Sequence, residues 1–213
     1  FLDELPELSR EALKTLRRPL EMGAIWIARA SPDIRYPCRF LLIAAANPCK
    51  CEYLYQAERA CNKAPHCGAH YFQRLSGPLL DRFDLCVHVE GTSFTSLQNH
   101  ELGETTGDIA ARVRAARRCQ SLRFSAHDGI HSNADAHGKV LTQTCALATE
   151  TIGWLHKALD HFQLSPRGYH RMLRVARTIA DLEGSDTIEK PHLSEALSFR
   201  PFPASGETAK QAG

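Results

Sequence analysis

Phe40 to Ala46 form an unbroken apolar run of strand length, and no other stretch restricts the fold of this chain so strongly. A strand with one wet face alternates apolar and polar residues. A continuous apolar run is what a strand buried on both faces requires, with helices covering the sheet. The flanking segments fit that reading. Phe1-Leu2 reads as the last step of a strand, and Ser9 to Met22 carries Leu13, Leu16 and Leu20 at helical spacings before Gly23 stops it. Ala24 to Ala28 and Ile34 to Tyr36 flank Ser31-Pro32-Asp33 as the arms of a β-hairpin, and Leu85 to Val89 alternates as a further strand. Strands interleaved with helices predict an α/β layer architecture over residues 1–92, with a cysteine-rich insertion at 49–67.

Beyond that point the pattern changes. Gly91 to Gly107 is rich in Ser, Thr and Gly, which predicts a boundary with a linker over 93–107. Residues 108–200 then read as helical. Asp108 is placed to cap a helix through about Phe124, and a second helix is expected from about Cys145 to Phe162. Ser165-Pro166 combines a capping hydroxyl with proline at the first helical position, and Gly184 ends that helix. A last short helix is expected over Pro191 to Phe199, and the Pro/Gly/Ala-rich tail over 201–213 is expected to be disordered. No run of eighteen apolar residues is present, and no basic leader precedes an apolar stretch, so a cytoplasmic protein without a membrane partner is expected. The chain opens without Met and is expected to be a fragment or a processed product.

Net charge narrows the partners. With 26 basic and 24 acidic side chains the balance is +2, so contact with a polyanion must come from local clusters. Cysteine usage is more telling. Cys49, Cys51, Cys61 and Cys67 fall among Lys, Glu, Gln, Arg, Asn and Pro, which are too polar to bury four thiols as core. Such a set can close a tetrahedral Zn²⁺ site, with His66 and His70 as substitute ligands; free or redox-active thiols are the alternative. Cys38, Cys86, Cys119 and Cys145 sit among apolar or helical neighbours and read as ordinary buried residues.

Several strings occur in a set order: Leu2-Asp3-Glu4-Leu5-Pro6-Glu7, Arg17-Arg18-Pro19-Leu20-Glu21, Ala44-Ala45-Ala46-Asn47-Pro48, Ser76-Gly77-Pro78-Leu79-Leu80-Asp81-Arg82-Phe83-Asp84, and Leu164-Ser165-Pro166-Arg167-Gly168-Tyr169. Together they resemble the later part of magnesium-chelatase-like AAA+ ATPases of the ComM/YifB type, over about Phe1 to Arg200. The resemblance implies a partial P-loop NTPase core, with the hairpin before the sensor 1 strand, followed by a helical lid. It implies ATP and Mg²⁺ as cofactors. Asp3 and Glu4 correspond to the Walker B pair, Asp3 for the magnesium and Glu4 as base for the hydrolytic water. Asn47 corresponds to sensor 1, Arg82 to an arginine finger reaching a neighbour's ATP, and Arg167 to sensor 2. Each role places a donor or a cation where charge develops on phosphoryl oxygens. A bland reading stands beside these: Asn47-Pro48 as a simple turn, and Arg82 paired with Asp81 or Asp84.

The resemblance further implies self-assembly into a ring, hexameric in form, and work on DNA as a branch-migration or helicase-like motor in recombination or natural transformation. The alternatives are an ATPase subunit that remodels a metal-insertion enzyme and a nonenzymatic, zinc-stabilised interaction module. No G-x-x-x-x-G-K-[ST] loop occurs in the chain, so it is expected to bind ATP poorly alone, with hydrolysis belonging to the parent protein. For DNA contact the candidates are Arg29, Arg35 and Arg39 around the hairpin, against the plainer reading of a charged edge that discourages strand pairing. Arg171 and Arg174, and Arg112, Arg114, Arg117, Arg118 and Arg123 on the preceding helix, read as solvated faces.

Overall fold

Ser9 and Gly23 delimit the first helix as the sequence predicts. In the computed structural model α1 runs Arg10–Met22; Ser9 Oγ accepts the Ala12 N–H at 3.2 Å, and Gly23 closes the helix at φ 59°. That left-handed conformation favours glycine because it carries no Cβ. The structure describes residues 1–27, 34–51, 53–54, 58–64, 66–89, 91, 103–145, 147, 149–162 and 164–200. They divide into two units, Phe1–Phe83 and Asp84–Arg200. Most of the expected linker and the whole 201–213 tail lie outside the described residues.

In the first unit, α1 turns Leu13, Leu16 and Leu20 toward Leu5, Leu75 and Leu79. β1 (Ala24–Ile27) and β2 (Ile34–Pro37) pair antiparallel, with Ala24 opposite Pro37 and Ile27 opposite Ile34. The hairpin tip, Arg29 included, lies outside the described residues. Two short helices follow, α2 (His66–Phe72) and α3 (Gly77–Leu80).

The apolar run behaves differently from expectation. Of Phe40 to Ala46 only the stretch around Ala44 pairs, in an isolated parallel bridge with Leu2 made through the backbone of Ile43 and Ala45, and Leu41 is 82% exposed. No second ladder flanks the run among the described residues; Ala44 packs against the Leu5, Leu13, Leu75 and Leu79 cluster, while Phe40, Leu41 and Ile43 stay exposed. Leu85 to Val89 likewise forms no strand, although the Cys86 N–H donates to the Phe199 carbonyl at 2.8 Å. Among the described residues the architecture is therefore helix-rich with one two-stranded sheet, rather than an open multistranded one.

The second unit is helical: α4 (Thr106–Arg123), α5 (Gly138–Thr144), α6 (Thr149–Phe162), α7 (Pro166–Glu183) and α8 (Lys190–Ser198). Thr105, not Asp108, caps α4. Its hydroxyl accepts the Asp108 N–H and donates to the Asp108 carboxylate at 2.6 Å. Asp108 sits in the first turn instead, where its charge still favours the helix N-terminus. The Ser165 cap and the Gly184 stop of α7 match expectation. Met172, Ala176 and Ala180 of α7 are fully buried against a core that includes Phe124, Leu141, Leu193 and Leu197. Alanines at that spacing bring a neighbouring helix close. No helix among the described residues is long and apolar enough to cross a membrane.

Asp181 lies at the centre of this unit. It is 5% exposed and accepts from Arg123 at 2.5 and 2.8 Å, from Arg177 Nε at 3.0 Å and from Asn133 Nδ2 at 2.8 Å. Arg123 thus leaves the solvated face expected for it, because α4 carries it over Asp181, the one buried carboxylate among the described residues. Arg171 pairs with Asp84 at 2.9 Å and Arg174 donates to the Ala136 carbonyl at 3.3 Å, so neither is a freely solvated cation. Burial raises the Asp181 pKa, but the hydrogen bonds from Arg123 and Asn133 and the charges of Arg177 and Arg123 outweigh it and leave the carboxyl below its ordinary value.

Removing that carboxylate strands two guanidinium groups. Asp181→Ala is expected to destabilise the chain by about 3–5 kcal/mol in urea unfolding. Because the folded-state pKa is depressed, this stabilisation is complete above the ordinary carboxylate pKa and is lost as pH falls through the folded value. The gap between wild type and variant should therefore narrow in acid; a gap that is constant down to strongly acidic pH would contradict the assignment.

Candidate metal centre and carboxylate pair

Leu2 positions the acidic pair. Its N–H donates to the Ile43 carbonyl at 2.8 Å and its carbonyl accepts the Ala45 N–H at 2.8 Å, while the Leu5 N–H donates to the Ala45 carbonyl at 2.9 Å. These bonds set Asp3-Glu4 and Ala46-Asn47 at the ends of two parallel segments. Asp3 Oδ1 accepts the Glu4 N–H at 2.9 Å, and both acidic side chains are exposed. Glu4 is the one non-glycine residue with positive φ among the described residues, at φ 48° and ψ 45°. Left-handed backbone at a non-glycine residue carries a steric cost, and such outliers concentrate at functional sites. Asn47, half-buried, follows at the end of the partner segment.

The arginines are placed differently. Arg82 lies just after α3, where its guanidinium pairs with Glu21 at 2.6 Å and donates to the Pro78 carbonyl; its side chain is 8% exposed. Glu21, in the last turn of α1, is a partner that neighbouring acidic residues in the sequence did not suggest. Arg82 is therefore held at the opposite end of α1 from Ser9, about 18 Å along the axis. Arg167 is exposed in the first turn of α7, in the second unit; within the first unit the backbone bonds join the segment carrying Asp3 and Glu4 to the one that leads to Asn47.

The cysteines converge. The Sγ atoms of Cys49, Cys51 and Cys67 all lie within 4.8 Å of one another, with Cys49 fully buried. Cys49 and Cys51 are 3.0 Å apart, a hydrogen-bonding rather than a disulfide distance. Cys61 contacts Cys51 and Cys67 through its side chain but stands outside that mutual set, and neither histidine joins it. Gly68 makes the arrangement possible: a Cβ there would come within 2.8 Å of Leu54 Cδ2 and 3.0 Å of the Pro48 carbonyl. The absent side chain lets α2 carry Cys67 against the Pro48-Cys49 backbone. The sequence offers this glycine beside Cys67, yet spacing alone does not reveal its purpose.

The electrostatics suit a cation. The Cys49 side chain and backbone groups of Cys61 and Tyr53 lower the Cys51 pKa to about 6. Desolvation first, then Cys61 and Cys49, push Cys67 up to about 12. One sulfur is thus anionic at neutral pH while another keeps its proton until a positive charge replaces it. A tetrahedral site with Zn–S bonds of about 2.3 Å needs sulfurs roughly 3.8 Å apart, which the cluster meets with small adjustments. Cys61 is the nearest fourth sulfur.

Zn²⁺ added to the chain near neutral pH is accordingly expected to bind one to one with release of protons, Cys67 losing its own, and the affinity should fall as pH is lowered. Chelator competition with proton counting in weak buffer measures both. Gly68→Ala, which wedges α2 away from Pro48, should weaken the competition without removing a ligand. Equal affinity in that variant, or binding without proton release, would count against this geometry.

Comparison with known proteins supplies the remaining frame. The model of magnesium chelatase, subunit ChlI, matches residues 1–97, and that of the subunit ChlI C-terminal region matches residues 103–200. The chain is 42% identical over 201 residues to the competence protein ComM of Haemophilus influenzae, covering 94% of the chain and 38% of that protein. It is 40% identical over 201 residues to YifB of Salmonella typhimurium and of Escherichia coli, with the same coverage. The chain therefore spans about two fifths of the length of these curated relatives. Two consecutive family models across nearly all its residues, with the ordered motifs they carry, make the chain a member of the magnesium-chelatase-like family to which ComM and YifB also belong.

Proposed function

We propose that this chain forms the later part of an AAA+ ATPase that assembles as a ring, hexameric in form, and moves or remodels DNA in the cytoplasm. The observation that supports the reading is the backbone pairing of Leu2 with Ile43 and Ala45, which joins the segment carrying Asp3-Glu4 to the one that leads to Asn47. Hydrolysis of a triphosphate needs this trio in one place. When bound, magnesium and ATP supply a phosphoryl group with its charge partly neutralised. The Asp3 carboxylate would hold the metal, Glu4 would take a proton from the attacking water, and the Asn47 amide would orient that water. The glycine-rich phosphate loop is not among these 213 residues, so hydrolysis is proposed for the whole protein.

Arg82 supports the ring. Held on Glu21 in the last turn of α1, its guanidinium is read as a cation offered to a neighbouring protomer's nucleotide. Arg167, exposed at the start of α7, would act as a second cation on the phosphates. The thiolate cluster is read as a structural zinc site that fixes the turn after Asn47. The DNA role leans on the similarity to the competence protein ComM. A second reading, an ATPase subunit that remodels a chelatase, is favoured by the ChlI description of the matching family.

ATP hydrolysis by the complete protein, with and without DNA, separates the two. A motor should be stimulated by DNA. Glu4→Gln should lower kcat about 10²-fold or more, as expected on loss of a general base. Arg82→Ala should lower it by about 10³-fold or more, with mixed rings rescued by wild-type protomers. Hydrolysis indifferent to every DNA tested would remove the motor, and hydrolysis indifferent to both substitutions would remove the site.

A further inference from the structure

α1 and the segment joining α2 to α3 enclose a cleft of about 220 Å³ whose lining is cationic. Arg10, Lys14 and Arg17 line it from α1; Gln73, Arg74 and Ser76 line it from the other side, over the buried Leu13. Spacings of four and three put the three α1 cations on one helix face. Like charges at such spacings repel, and Glu21, four residues after Arg17 on the same face, is engaged by Arg82 at 2.6 Å. Arg74 pairs with Glu7 at 3.0 Å, whereas Arg10, Lys14 and Arg17 have no acidic partner among the described residues. Arg17 Nε is buried from solvent without a hydrogen-bond acceptor. A buried guanidinium nitrogen without an acceptor is costly, and a bound oxyanion would supply one.

We propose that this cleft binds consecutive backbone phosphates of a nucleic-acid strand. An extended polyanion fits better than a single phosphate, because the cations run from Arg10 to Arg17, about 10.5 Å along the helix. The lining holds no aromatic side chain on which a base could stack, so the contact reads backbone and not sequence. Neither Arg35, Arg39 nor the carboxylate pair is part of its lining, which lies wholly within the first unit. The proposal rests on the DNA reading above only for the identity of the polymer.

The test is anisotropy of a fluorescein-labelled oligothymidylate strand with the 213-residue chain across a salt series. K14A/R17A should weaken binding roughly tenfold or more at low salt and flatten the log K against log salt slope by about 1.4, two single-strand phosphate contacts' worth. K14R/R17K, which keeps both charges, should restore most of the binding. Inorganic phosphate at the same total phosphate should compete poorly; full competition would mean a point-anion site and overturn the proposal. If wild type and K14A/R17A bind alike, the cleft is wrong while the DNA reading stands. If the wild-type chain does not bind the strand even at low salt, the cleft is wrong, and DNA-stimulated hydrolysis by the complete protein then decides the wider reading by itself.

Discussion

Three backbone hydrogen bonds, Leu2 N–H to the Ile43 carbonyl, Ala45 N–H to the Leu2 carbonyl and Leu5 N–H to the Ala45 carbonyl, hold the start of the first unit to the apolar run. Side chains could not do this as well. The acidic pair is exposed, and an exposed carboxylate cannot be positioned by packing. Main-chain pairing fixes where residues 3 and 4 leave one segment and where residue 47 leaves the other, whatever their side chains are. Leu5 and Leu13 then anchor the same region to Leu75 and Leu79, so α1 starts from a fixed point. Arg82 at the far end of α1 inherits its position from that start.

The second unit rests on different physics. Its helices surround a buried carboxylate that receives two guanidinium groups and an amide. Such a cluster adds little net stability over an apolar core of the same shape, but it tolerates few arrangements. Asp181 must face Arg123 from α4 and Asn133 from the 3₁₀ turn at Asn133–Asp135, which fixes the rotation of α7 about its axis. Arg167, ten residues before Arg177 on the same helix, takes its direction from that rotation.

Much of this was legible in the residues themselves. Ser9 with Gly23 and Ser165-Pro166 with Gly184 fixed two helices because caps act locally and need no tertiary context. The hairpin arms were legible for the same reason. The apolar run at Phe40–Ala46 was not: apolarity reports a demand for burial, and only a neighbouring strand or helix can meet it. The cap of α4 was misassigned by three residues because Thr105 and Asp108 can each cap, and only their mutual hydrogen bonds decide between them. At the candidate site, spacing identified the cysteines but ranked all four equally, whereas the fold sets Cys61 apart from the other three. The Arg82–Glu21 pair and the Gly68 contact join residues far apart in sequence, and no local pattern encodes them.

The backbone at Glu4 has a consequence for how this family member can change. Glycine, and to a lesser degree asparagine, would adopt φ 48° with less steric penalty than glutamate. Glutamate there thus bears a local steric cost that glycine would relieve, at the expense of the greater chain entropy glycine loses on folding.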